Sequence, residues 1–259
     1  MAVTRSRVAP EAPEVVVSQY SRAGVLGVWA AAALPMAALA WVVAPLAARS
    51  LDGPAPLARS LICSLAAGLI WQFVLVVILL RREQGTWRWQ VVREALWLRA
   101  PRSPRTGRRG GRLWLLLLPL LVLFAAEELV PMARPPAGRH LPDFLDSAVG
   151  RGLLEGSWLW VAVLATTMLF NTVLGEELLF RGWLLPRMQA AFGRADWAVN
   201  GVLFAIYHLH MPWVIPGALV DTLAISYPAR RYRSALIGIA VHSAQSVVLL
   251  ALVLALVLG

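Results

Sequence analysis

Residues 158–185 read WLWVAVLATTMLFNTVLGEELLFRGWLL, and this stretch decides what kind of protein the chain makes. From Trp158 to Gly175 it is apolar enough to lie in lipid. Glu176, Glu177 and Arg181 then place three charges where lipid should be. An ionisable residue inside a spanning helix costs several kcal/mol, by estimates from roughly 2.5 upward, and is kept mainly where it pairs or does work. At helical pitch Glu177 and Arg181 are four apart, acid before base, the favourable order for an ion pair. Glu176 lies about 100° further round the helix, so Arg181 cannot serve both carboxylates equally. One glutamate is paired and the other is left over.

The rest of the chain sets this segment in a membrane. Of 259 residues, 59% are hydrophobic and 15% charged, with a mean hydropathy of +0.67. That balance predicts an all-α polytopic membrane bundle rather than a soluble domain. Apolar runs fall at about 24–48, 61–80, 113–130, 157–186, 196–211, 212–227 and 234–258, which gives about seven spans. Several are shorter than the ~20 residues of an uninterrupted span, so the count ranges from six to eight. Pro35, Pro119 and Pro216 lie inside spans, which membrane helices tolerate when neighbours satisfy the freed backbone groups. The run from Gly24 to Ala48 is too long for a signal-peptide core and reads as a retained span. The chain divides into a polar N-terminal tail (1–23), N-terminal membrane helices (24–130) and a membrane core (157–258).

All 24 basic residues are Arg and the net charge is +10. A basic chain raises nucleic acid as a partner, but here the Arg residues sit in loops between apolar spans, as in cytoplasmic membrane loops. No nucleic-acid partner is expected. Segment 81–112 carries ten Arg against Glu83 and Glu94, so the positive-inside rule makes it cytoplasmic. Alternation then puts the N-terminus, Arg187/Arg194 and Arg230/Arg231/Arg233 inside and 131–156 outside, in what is expected to be a bacterial inner membrane. Within 81–112, Trp87, Trp89, Val92, Leu96 and Trp97 among Arg residues read as a helix lying in the interface, its 99–112 tail drawn to anionic lipid. A solvated basic loop that only fixes topology is the plainer alternative. The lone Cys63 excludes an intrachain disulfide and a Cys-based zinc site.

With this topology Glu176, His208 and His242 fall at similar depth on three spans, roughly 12–18 Å from the inner face at 1.5 Å per residue. Asp221 is placed near the same level. Two chemistries fit a carboxylate and two imidazoles inside a membrane. In one, the carboxylate and one His activate a water while the other His polarises the carbonyl under attack. In the other, Glu176, His208 and His242 hold a zinc ion that lowers the pKa of its water. The compact H-E-x-x-H spacing is missing, so zinc ligands would have to come from separate helices. The cofactor is therefore none or zinc.

Glu176-Glu177-x-x-x-Arg181, then Phe204-x-x-x-His208, then His242 in a later span resembles the CAAX-protease and bacteriocin-processing family (CPBP, also called Abi) of intramembrane proteases, which includes the type II CAAX prenyl proteases. The resemblance covers roughly residues 157–250. It implies an all-helical fold with its site in a membrane cavity, and endoproteolysis near the C-terminus of a membrane-tethered protein carrying a prenyl or sorting tail. It implies that Glu176 and His208 activate the water, that Glu177 with Arg181 braces the site, that Phe204 packs beneath His208, and that His242 stabilises the oxyanion. The family has been described both as metalloendopeptidases and as glutamic proteases. One position departs from it. Where the family usually has Asn four residues after the last His, this chain has Ser246, with Gln245 beside it; either would have to supply the second oxyanion donor.

Other polar residues carry less. His210 reads as interfacial, His140 lies in the outer loop, and Glu127-Glu128 lacks an Arg partner and reads as a solvated helix end. Two other functions remain open: a protease-like membrane protein serving self-immunity or partner assembly, and an ion-coupled transporter, since intramembrane Glu, His and Asp also mark ion paths. The absence of an internal repeat weighs against the transporter.

Overall fold

A computed structural model describes residues 15 and 17–258. Most of the polar 1–23 tail lies outside the described residues. Six helices position the site: α1 (Arg22–Ala48), α2 (Pro56–Gln84), α3 (Leu117–Ala125), α4 (Trp158–Arg187), α5 (Asp196–Tyr207) and α6 (Ala235–Leu258). Among the described residues there is no strand beyond an isolated bridge between Arg102 and Arg109.

Among the described residues, only α1, α2, α4 and α6 are long and apolar enough to cross a membrane. The other three expected spans are shorter and broken. Segment 113–130 holds the nine residues of α3 between two 3-10 turns. Segment 196–211 holds the twelve of α5, about 18 Å long against a hydrocarbon core of about 30 Å. Segment 212–227 splits into short turns, where Pro212 and Pro216 remove backbone donors. Each piece packs one side inward, with Phe124, Leu203 and Ala224 buried, and leaves apolar side chains such as Leu118, Val122 and Leu223 exposed on the other. Hydropathy alone does not distinguish such a piece from a full span.

The ends of the long helices follow ordinary capping. Ser21 Oγ accepts from Gly24 N at 3.2 Å to start α1. Pro56 stands at the start of α2, and Gly85, at φ +66°, closes it with its N–H on Arg81 O. A π-helical turn, Leu39–Val43, interrupts α1. Two more, Phe170–Gly175 and Leu178–Leu184, flank Glu176-Glu177 in α4.

The Arg-rich segments meet at one end of the bundle. Arg102 N donates to Tyr232 O, Ala235 N to Trp97 O, and Ser234 Oγ to Arg99 O. Tyr20 N donates to Arg187 O. Within loop 81–112, Arg93, Arg99 and Arg109 gather on Glu94. Its helix spans only Trp89–Ala95. Trp87 and Trp89 are exposed as an interfacial helix requires, but Leu96 and Trp97 turn inward, Trp97 against Leu185, Ala229 and Ala235. Arg187, read from the sequence as a loop charge, is fully buried and paired with Glu83. Segment 131–156 lies at the opposite end, where Arg139 Nη1 donates to Ala40 O at 3.0 Å and Gly156 N to Val257 O.

Candidate active site

The charged motif of α4 is buried whole. Glu177 and Arg181 are 0% exposed and Glu176 2%. Arg181 Nη1 donates to Glu177 Oε1 at 2.8 Å, so Glu177 is the paired carboxylate. His242 Nδ1 lies 3.2 Å from the same oxygen. Glu177 is thus shared between a guanidinium and an imidazole, a link that residue spacing alone does not reveal. Its other oxygen has no hydrogen-bond partner among the described residues. That oxygen lies against Gly238, where an added Cβ would meet it at 2.2 Å. Gly238, one turn before His242, lets α6 approach this carboxylate.

Arg181 is held on its remaining sides. Its Cζ lies 4.0 Å from the Phe204 ring centroid, a cation–π contact strengthened by exclusion of water. Nη2 donates to Ser226 Oγ at 3.3 Å, Ser226 Oγ to Asn200 Oδ1 at 3.2 Å, and Asn200 Nδ2 to Phe180 O at 2.9 Å. This chain ties α4, α5 and the Thr222–Ser226 turn together. Asn200 and Ser226 carry no recognisable motif. The available signal was a polar residue in an otherwise apolar segment.

Phe204 is the hub of the aromatic side. Its ring stands edge-on to His208 at 5.0 Å and to His242 at 6.0 Å. The His208 Nδ1 lies 3.0 Å from Phe204 O; because a carbonyl only accepts, Nδ1 carries the proton there and Nε2 is left as the acceptor. The two imidazoles therefore converge on the same ring. Glu176 takes a different partner: Tyr207 faces it, and the Tyr207 hydroxyl accepts from Gln72 Nε2 at 2.6 Å. Glu176 and His208 are not hydrogen-bonded to each other, and Glu176 Oε2 has no partner among the described residues.

A cavity of about 1150 Å³ opens beside Glu176. Glu176, Asn171, Gln245 and Ser246 line it, whereas His208 and His242 do not. Ser246 Oγ is 3.4 Å from Thr172 Oγ1, and Ser243 Oγ donates to the same atom at 3.1 Å. Gln245 is exposed, without a bonded partner among the described residues. His210 differs from its sequence reading. It is 4% exposed, stacks on His208 with centroids 5.4 Å apart, and lines the cavity. The chain turns into a 3-10 helix at His208–His210, which swings His210 inward instead of leaving it at the interface. Glu127 likewise is half-buried, lines the cavity and packs over Gly217. Asp221 is buried with Oδ1 unpartnered, in the field of Glu127 and His242.

The three residues considered as zinc ligands do not form a coordinating set. Among the described residues no three His, Cys, Asp or Glu side chains gather as a metal ion requires. Glu177 occupies His242 Nδ1, and Tyr207 rather than an imidazole faces Glu176. The residues present do not fit a zinc ion.

A helical membrane protein that buries two glutamates and an arginine, and sets a buried and a part-buried imidazole on one phenylalanine beside a large cavity, has the make-up of an intramembrane protease. Residues 156–248 match the family described as Rce1-like, type II CAAX prenyl endopeptidase Rce1-like, and this segment belongs to it. That family acts on membrane-anchored proteins. No curated protein and no solved structure matches the chain.

Proposed function

We propose that the protein is a glutamic-type intramembrane endopeptidase that cleaves near the C-terminus of membrane-tethered proteins. The observation that carries this reading is Glu176: a buried carboxylate on the cavity wall, with one oxygen free of partners, next to a second carboxylate already engaged by Arg181 and His242. Glu176 takes a proton from water as the water oxygen attacks the carbonyl carbon. His208, with Nε2 open, orients that water from the Phe204 side. The electron pair of the C=O bond moves to its oxygen, and His242, as the imidazolium that donates Nδ1–H to Glu177, meets the oxyanion with Nε2–H. Ser246 adds the second donor from the cavity wall, with Gln245 as the longer-reaching substitute. Collapse of the intermediate breaks the C–N bond, and the proton held by Glu176 passes to the leaving amine. Glu177, Arg181 and Phe204 touch no substrate; they hold the imidazoles in place.

The membrane-facing partner is anionic lipid. Arg88, Arg102, Arg105, Arg108 and Arg112 remain exposed after Glu94 has drawn in its three arginines, which supports a headgroup contact with the loop cytoplasmic. The protease reading is tested by comparing C-terminal peptides of membrane proteins from cells with the intact chain and with Glu176→Gln. Tails shortened only by the intact chain are the expected result. Identical peptide sets would turn the reading towards a protease-like partner protein, the role that the Ser246 departure favours.

A further inference from the structure

The cavity and the packed core lie on opposite sides of Glu176. Every residue from Gly175 to Met188 is buried. Leu179, Phe180, Trp183 and Leu184 fill the space towards the Arg-rich end, in one cluster with Leu80, Leu96 and Met188. Arg187 closes that end. Its guanidinium lies 3.4 Å from the Trp183 ring centroid, donates to Trp183 O and Ala95 O, and pairs with Glu83. From Glu176 to Arg187 this plug is roughly 15 Å deep at helical rise. The cavity extends the other way. Its walls are the halves of α2, α4 and α6 remote from the Arg-rich loops, and its rim is segment 127–142. Leu129 on that rim is 82% exposed. Arg139 stands there over Trp41, with its guanidinium drawn below the usual arginine range by partial burial. At about 1150 Å³ the space exceeds the roughly 300–1,000 Å³ of small-molecule pockets, and its walls are mostly apolar. A short extended polypeptide fits both facts.

We propose that substrate reaches Glu176 from the Arg-poor end, so that the scissile bond lies on the side of the membrane opposite the Arg-rich loops. With those loops cytoplasmic, the substrate class is an exported polypeptide retained in the membrane, cut on its outer side, and not a tail presented from the cytoplasm. The inference rests on the protease reading, but the route has a readout of its own. In full-length protein with Cys63→Ser, Asn171→Cys places a thiol on the cavity wall one turn before Glu176, and Trp89→Cys marks the exposed Arg-rich loop. A membrane-impermeant charged maleimide is added to sealed vesicles of either orientation. Asn171→Cys is expected to react at least tenfold faster from the side that leaves Trp89→Cys untouched. Thr167→Cys, on the same wall, should behave alike and stands in if Asn171→Cys does not fold. Reaction only from the Trp89→Cys side, or from neither, overturns the route. In parallel, one membrane-retained tail is built with its scissile segment on either side. Cleavage only on the Arg-poor side, lost in Glu176→Gln, is expected. Cleavage only on the Arg-rich side defeats the inference and leaves the protease standing. Labelling from the Arg-poor side with neither tail cut keeps the route and removes the protease.

Discussion

The two halves of α4 have opposite surroundings. From Trp158 to Val173 the helix is largely unburied, with Trp158 and Leu159 mostly exposed, and it forms one wall of a cavity. From Glu177 to Arg187 it is buried throughout. The motif glutamates sit at the changeover. A charge in a membrane needs partners, and the packed half supplies them to Glu177 through Arg181, Ser226 and Asn200. The open half leaves Glu176 with a free oxygen on the cavity wall. Two adjacent residues of one type thus differ in environment because the packing around them changes within one turn.

That contrast predicts that substitutions in the open half change turnover and those in the packed half change stability. The largest effect expected is on turnover by Glu176→Gln, which keeps the shape and removes the base. General-base contributions run to about 10²–10⁴ in rate, so cleavage should drop by at least that while thermal unfolding in detergent stays where it was. Retained cleavage by Glu176→Gln, with a stable but inactive Glu177→Gln, would reverse the assignment. Next come the packed-half variants. Glu177→Gln leaves Arg181 short of its counter-charge, and Arg187→Ala does the same to Glu83. Breaking a buried pair from one side typically costs ~3–5 kcal/mol, so both should lose yield and unfold at lower temperature before any loss in turnover per folded molecule. Parent-like unfolding of both would remove the distinction between the two halves.

Smaller effects sharpen it. Ser246→Ala should lower turnover by about tens-fold with little change in substrate binding, since one lost oxyanion donor typically costs ~10²–10³ in better-placed cases. Ser246→Asn should be tolerated or faster, and Gln245→Ala should do less. Parent rates in all three would show that no second oxyanion donor acts from this turn of α6. Smallest of all, Leu129→Ala at the exposed rim should move unfolding by no more than about 0.5 kcal/mol. A larger shift, measured by the same thermal scan, would mean that the rim is packed against something.

The motif was legible because charge in an apolar run stands out, and the i, i+4 spacing of Glu177 and Arg181 names its own partner. The grouping of the Arg-rich segments at one end was legible for a similar reason, since those segments stand out against apolar spans. The reading failed where an apolar segment has two ways to be buried. Segments 113–130, 196–211 and 212–227 read as spans and are short, interrupted helices with one side packed and the other exposed, so the count of about seven is not confirmed. Trp97 read as interfacial and is core, and Arg187 read as a loop charge and is the staple of the packed end. In each case hydropathy reported the transfer out of water but not what the residue was transferred into.

The sequence thus settled that this is a helical membrane protein and that Arg181 pairs with one glutamate and spares the other. These follow from composition and from spacing within one helix, where geometry is local. Which carboxylate meets His242, why His210 turns inward, and which end of the molecule is hollow came from contacts between segments far apart in the chain. Glu177 and His242 are 65 residues apart, and Glu83 and Arg187 are 104. The interruption of α4 by two π-turns also sets which way Glu176 points, and the residues that flank them carry no signal for it. Packing fixes that register, because a helix yields its ideal pitch where neighbouring side chains and buried charges gain more than the strained hydrogen bonds lose.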